Sequence, residues 1–238
     1  MWNRLKYTGF AIGLVALFLL VTFKFVGEYS WNSWNLPLSG KVIILDPGHG
    51  GPDGGATGGD VLEKDIALSI SKMVRDYLQE QGALVIMTRE QDKDLAGDVQ
   101  GYRARKREDL FQRVQLINES QADLFLSIHL NAFPSSKSSG AQTFYTLRYK
   151  ENKEIAKFIQ AEFIDNLENT KRSAKAIDNV YVMKYAKKPG ALVEVGFLSN
   201  VEERNQLMNT AYQNKLAISI YEGIMRFYTE EPLEDKEE

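Results

Sequence analysis

The sequence contains two histidines, and both stand where a strand gives way to a site. His49 follows the apolar run Val42-Ile43-Ile44-Leu45, Asp46 and a Pro47-Gly48 break, and it opens a loop carrying six glycines between Gly50 and Gly59. His129 comes directly after a second apolar run, Leu124 to Ile128. In a parallel arrangement, neighbouring strands would set the two imidazoles side by side at one sheet edge. Neutral imidazole is a common zinc ligand, and a catalytic zinc site takes three protein ligands while keeping one position open. A carboxylate should therefore complete the set. Glu63 is the candidate, fourteen residues after His49 at the first turn of the helix that follows the glycine loop. Its position equally suits an acid that offsets the helix dipole, worth about 0.3 to 1 kcal/mol.

A fourth group is Glu194, within Gly190-Ala191-Leu192-Val193-Glu194-Val195-Gly196-Phe197. Burying a carboxylate mid-strand is costly unless it is paired, protonated or facing a polar cavity, so its pKa is expected to be perturbed. Beside a metal site it could act as general base and then as general acid. The other reading is a strand glutamate on the solvent face. Asp46 and Asn131 flank the histidines as candidate partners for the imidazoles, with turn and capping roles as the alternative.

Composition narrows the chemistry. The absence of cysteine removes thiolate nucleophiles, disulfides and Cys-ligated zinc together, leaving oxygen and imidazole groups. A formal charge of -3 gives no global basic field, so nucleic acid is not an expected partner. The 238 residues accommodate one domain with a single well-buried core plus appendages.

The elements that must position these residues can be read in order. Arg4 and Lys6 precede an uncharged run from Tyr7 to Phe23, which makes residues 1–27 a signal peptide or membrane anchor. A helix of that length would span roughly 26 Å against a hydrocarbon core of about 30 Å. Residues 28–39 read as a linker carrying two tryptophans, 40–229 as the catalytic domain and 230–238 as an acidic disordered tail. Strands are expected at Lys41–Leu45, Leu84–Thr88, Leu124–Ile128, Gln142–Leu147, Val180–Met183 and Ala191–Val195. Helical spacing covers Leu62–Gln81, Asp109–Asn118, Ile155–Leu167 and Ala211–Tyr228. Between them, residues 90–107 are densely charged, with two glycines and no apolar period. They read as a solvated excursion whose Arg103-to-Arg107 run either faces water or meets an anionic polymer. Alternating strands and helices imply an α/β domain: a mostly parallel twisted sheet of about six strands flanked by helices, with an N-terminal hydrophobic helix. The active edge lies where strand carboxyl ends meet.

Several of these stretches carry a family resemblance. Leu45-Asp46-Pro47-Gly48-His49-Gly50-Gly51, Leu62-Glu63-Lys64-Asp65, Thr88-Arg89, the spacing of Leu110, Arg113 and Asn118, the run Ala122 to Ala132 and the run Leu192 to Asn200 occur in order over about residues 40 to 228. Together they resemble the zinc-dependent N-acetylmuramoyl-L-alanine amidases. The resemblance implies one zinc ion per chain held by His49, Glu63 and His129, with Glu194 as the catalytic glutamate. It also implies a peptidoglycan substrate. An N-terminal hydrophobic segment directly before a lone catalytic domain looks most like the germination-specific branch. That likeness suggests work in spore cortex maturation, where peptide removal precedes muramic δ-lactam formation, in an exported protein facing wall or cortex, with membrane association through residues 7–23 and an accessory spore protein as further expectations. Other uses of the same residues are a wall peptidase or deacetylase, or a wall-binding module without activity. Wall-binding repeats and a helix that plugs the site, both known among relatives, are not seen in the sequence.

Overall fold

A computed structural model describes residues 7, 10, 12–22 and 36–229. Its centre is a six-stranded sheet in the order β4-β1-β5-β8-β6-β7. The strands are β1 (Val42–Pro47), β4 (Leu84–Met87), β5 (Leu124–Asn131), β6 (Gln142–Tyr145), β7 (Lys175–Ala176) and β8 (Gly190–Phe197). β2 (Thr57–Gly58) and β3 (Val61–Leu62) form a separate small antiparallel pair inside the glycine loop. β1 pairs in parallel with both β4 and β5, and β5 with β8, whereas β6 runs antiparallel to β8.

The strands are apolar on both faces because helices cover both, and the period of two assigns each residue to a side. Ile43, Leu45, Leu124, Leu126, Ile128, Ala191 and Val193 join the larger core. That core is shared with α1 (Glu63–Glu80), α3 (Lys150–Leu167) and α6 (Thr210–Thr229). Ile44, Phe125 and Leu192 point the other way, into a smaller core with α2 (Tyr102–Glu119) and α4 (Tyr181–Tyr185). A short helix, α5 (Val201–Leu207), follows β8 and is capped by Asn200, whose side chain accepts from the Glu203 amide.

Three expectations need correction. The fifth strand predicted at Val180–Met183 is the helix α4, and the sheet takes its sixth member from β7 instead. Val182 and Met183 are buried, but the face they meet belongs to Ile44, Phe125 and Leu192, so a single helical turn buries them where a strand would have no free edge to join. The helix placed at 109–118 begins at Tyr102, because its charged first turns are held by polar contacts that an apolar period cannot report. The helix placed at 155–167 begins at Lys150 for a comparable reason, with Asn152 bonded to Thr146 and to the Gly190 amide.

Outside the domain, residues 12–22 are helical, with the side chains of 12–21 exposed. Among the described residues no helix is long and apolar enough to cross a membrane. Of the stretch read as a linker, residues 36–39 are described; 37–39 belong to a turn, with Leu38 fully buried and its amide bonded to the Gln81 carbonyl. The rest of that stretch, both of its tryptophans and the tail 230–238 lie outside the described residues.

Candidate metal centre

The register of the sheet builds the site. His129 lies directly opposite Glu194 in the β5–β8 ladder. Parity sends both side chains to the face that carries Phe125 and Leu192. After His129 the register shifts before Asn131 meets Phe197, a local irregularity of the kind common beside functional sites. His49 enters just beyond the end of β1, in left-handed backbone at φ 61°. Histidine tolerates that region better than most residues, and such a conformation persists only where the surroundings fix it.

Two buried arginines supply the fixing. Arg89 donates to the Pro47 carbonyl at 3.1 Å, the Gly48 carbonyl at 2.8 Å and the Lys64 carbonyl at 2.7 Å. Arg113 donates to the Pro47 carbonyl at 2.7 Å, the His49 carbonyl at 2.6 Å and Asp46 Oδ1 at 2.7 Å, and it pairs with Asp109 at 2.9 Å. The carbonyls that a Pro-Gly-His turn cannot bond internally thus meet guanidinium groups. Burial pushes the Arg89 guanidinium down to about 10, with Arg113 nearby adding to the effect.

Glu63 is the first residue of α1 and is buried. Its Oε1 lies 2.8 Å from His129 Nδ1, and its Oε2 lies 3.1 Å from His49 Nε2. The Leu130 amide donates to Oε1 at 2.9 Å and the Ala56 amide to Oε2 at 2.6 Å, which aims the carboxylate between the two rings. The ring centroids stand 5.1 Å apart, nearly edge to face. His49, Glu63 and His129 each offer a donor atom, all within 4.8 Å of one another. Burial acts to raise the Glu63 pKa, but its bonds to His129 and His49 overcome this and hold it well below the usual range. Burial lowers the His49 pKa, and the Asp53 and Glu63 carboxylates more than reverse that, raising it to about 9. Two imidazoles and one ionised carboxylate converging on a point are the donor set of an open zinc site, so the residues fit such an ion.

Glycines keep the loop against this cluster. A side chain at Gly48 would run into the His129 ring, and one at Gly55 would strike Glu63 and His49. Gly55 also holds φ 72°, where other residues are strained.

Glu194 is half-buried, yet its Oε2 is enclosed and has no hydrogen-bond partner. Burial raises its pKa to about 7, with His129 and His49 opposing and Glu63 adding to the rise. An unpaired carboxylate facing the histidine pair is poised to exchange protons near neutrality.

The remaining candidates divide differently. Asp46 bonds Thr88 at 2.7 Å, Arg113 at 2.7 Å and Ser127 at 2.7 Å, and so ties β1 to β4, β5 and α2 without bonding either imidazole. The side chain of Asn131 bonds neither imidazole; its backbone carbonyl accepts from Leu198 at 2.8 Å. The carboxylate on His49 is Asp53, whose Oδ2 is 2.8 Å from Nδ1. Sequence reading passed over Asp53. Its signal was an acid four residues after a histidine in a loop otherwise made of glycines and a proline.

With this geometry in place, comparison with known proteins decides the family. A model of the N-acetylmuramoyl-L-alanine amidases matches residues 43–226. The chain belongs to this family. It is 58% identical to the germination-specific N-acetylmuramoyl-L-alanine amidase of Bacillus subtilis over 97% of this chain and 98% of that protein. It is 36% identical to the amidase LytC of the same organism, covering 83% of this chain but 37% of LytC. Among solved structures, the CwlD amidase from Clostridioides difficile in complex with the GerS lipoprotein superimposes with a TM-score of 0.77 at 42% identity, over 79% of this chain and 98% of that one. The catalytic domain of CwlV from Paenibacillus polymyxa gives 0.69 at 31% identity, over 79% and 97%.

Proposed function

We propose that this amidase cleaves the amide between the lactyl carbonyl of N-acetylmuramic acid and L-alanine in spore cortex peptidoglycan, with His49, Glu63 and His129 holding a zinc ion and Glu194 moving the protons. The observation that carries the reading is the convergence of the three donors within 4.8 Å beside an unpartnered, buried Glu194 oxygen. A zinc ion bound there supplies polarisation of the scissile carbonyl and a water pKa lowered to about 7. The Glu194 carboxylate takes a proton from the attacking water and passes it to the departing L-alanine nitrogen, so the amide C–N bond breaks once the C–O bond has formed. Glu63, fixed by the Leu130 and Ala56 amides, keeps its carboxylate between the two imidazoles, where it would share the zinc with them. The products are a free lactyl carboxylate and a peptide with a free L-alanine amine.

The cortex role is supported by the 58% identity, over nearly all of both chains, to the germination-specific Bacillus protein. Action on the outer side of the cytoplasmic membrane follows from the substrate, and we assign residues 1–27 to export or anchoring. The lipoprotein seen with the Clostridioides relative makes an accessory spore protein a reasonable partner class for this chain as well. The test is digestion of cortex peptidoglycan with the zinc-loaded protein followed by mass spectrometry. New L-alanine amino termini are expected; released acetate or free D-alanine would overturn the assignment.

A further inference from the structure

The charged excursion at 90–107 has no role in the reading above, yet both of its ends grip the glycine loop. At its start, Asp92 Oδ1 accepts from the Gly51 amide at 2.8 Å. Lys64 donates to the Gly51 carbonyl at 2.8 Å and to Asp92 at 2.7 Å. At its end, the first turns of α2 reach Asp53. Tyr102 donates its hydroxyl to Asp53 Oδ1 at 3.1 Å, and Lys106 Nζ lies 3.1 Å from Oδ2, the oxygen that bonds His49. Arg105 pins this turn with two bonds to Asp94, at 3.0 and 2.6 Å.

Asp53 cannot be positioned by its own loop alone. Four of its neighbours, Gly50, Gly51, Gly54 and Gly55, have no side chains, and the loop offers its carboxylate one further bond, from the Gly55 amide at 3.2 Å. A carboxylate free to rotate would leave His49 Nδ1 without a fixed partner, and the Nε2 that faces Glu63 would lose its orientation. Mutating a carboxylate that holds a metal-ligating imidazole, as Asp53 holds His49, typically costs 10- to 100-fold in metal affinity, and groups that fix such a carboxylate act through it. We infer that Tyr102 and Lys106 are positioning residues for the metal centre, acting through Asp53 to fix His49, and that the excursion is the element that delivers them. The inference rests on the zinc reading of His49, Glu63 and His129.

The test measures zinc affinity of the full chain by competition with a chromophoric chelator, together with the visible spectrum of the cobalt-substituted protein. The double variant Tyr102→Phe, Lys106→Met should bind zinc about tenfold more weakly, the low end of what losing Asp53 itself would cost, and shift the cobalt spectrum. Its melting midpoint without metal should stay unchanged, which separates lost positioning from lost folding. Lys106→Arg, which keeps the charge, should restore most of the affinity when Tyr102 is intact, and Arg103→Met, on the same turn, should have no effect. An affinity in the double variant within about twofold of the unaltered chain overturns the inference alone. Failure of the unaltered chain to bind zinc overturns the reading of the site, and the inference with it.

Discussion

Glu194 and Glu63 show how two carboxylates that both feel the same imidazoles take opposite characters. Glu63 has two amide donors and two histidines on it, which favours the ionised form; Glu194 has an enclosed oxygen with no partner, which favours the proton. Glu194→Gln should therefore keep zinc and lose turnover by about 10²- to 10⁴-fold, the usual contribution of a positioned acid–base group. Near-normal turnover would remove Glu194 from the mechanism. His129→Ala should lose both metal and activity, seen in metal content and product release measured on one preparation. The pH profile follows with a definite sign. Burial raises Glu194 to about 7, and the base must be ionised, so kcat/KM should rise with pH along a limb at or below about 7, since a neighbouring cation draws the value down. The same shift works against stability: the folded state binds this proton more tightly, so its stabilisation is present below the unfolded carboxylate range and is lost as pH rises through about 7.

At the level of elements, the site depends on how strand ends are clamped. Asp46, Arg113 and Asp109 form a buried charged chain between β1 and α2, with Arg113 2% and Asp46 1% exposed. Burial opposes ionisation of Asp46, but Arg113 and the Thr88 and Ser127 hydroxyls hold its carboxyl below the usual range. Removing one partner would strand a buried charge, so Arg113→Met should cost about 3 to 5 kcal/mol in chemical denaturation. It should also loosen His49, whose carbonyl loses its donor. A loss under about 1 kcal/mol would mean that the pair is not desolvated as the geometry implies. This clamp was partly legible: Thr88-Arg89 and Arg113 stood out as part of a family pattern, but nothing in their spacing told that both guanidinium groups converge on the carbonyls of residues 47 to 49. The charged start of α2 was illegible for a related reason. Hydrophobic period reports burial of apolar faces, and the turns from Tyr102 to Arg107 are held by polar contacts instead, with Asp94 in the preceding loop and with Asp53, remote in sequence.

For the whole molecule, the zinc proposed for this site would enter the stability balance. An ion that binds only the folded state stabilises it by about 2.7 kcal/mol at a hundredfold excess over the dissociation constant. Chelation should therefore lower the melting midpoint, and zinc should restore it. If His49 is a ligand, the metal displaces a proton from an imidazole raised to about 9 by Asp53 and Glu63, so apparent affinity should weaken as pH falls below that value, by up to about tenfold per unit. A pH-independent affinity between 6 and 8 would count against His49 as a ligand.

The sequence by itself determined the kind of molecule and most of the chemistry. Apolar runs of strand length alternating with helical periods specify an α/β layer structure, because each such pattern can bury its faces in only a few ways. Two histidines at strand ends, a helix-start glutamate and a glutamate inside an apolar strand already marked the groups whose burial needs a reason. What the tertiary structure decided is which of them meet. The ladder register sets His129 opposite Glu194, a fact that a one-residue slip would erase and that no single strand encodes. It separated Asp46, which ties strands together, from Asp53, which holds His49, although both are acids within a few residues of the same ring. It also turned Val180–Met183 from strand to helix, since membership of a sheet depends on a free edge elsewhere in the molecule. Local patterns fix what a segment must bury; only long-range packing fixes against whom.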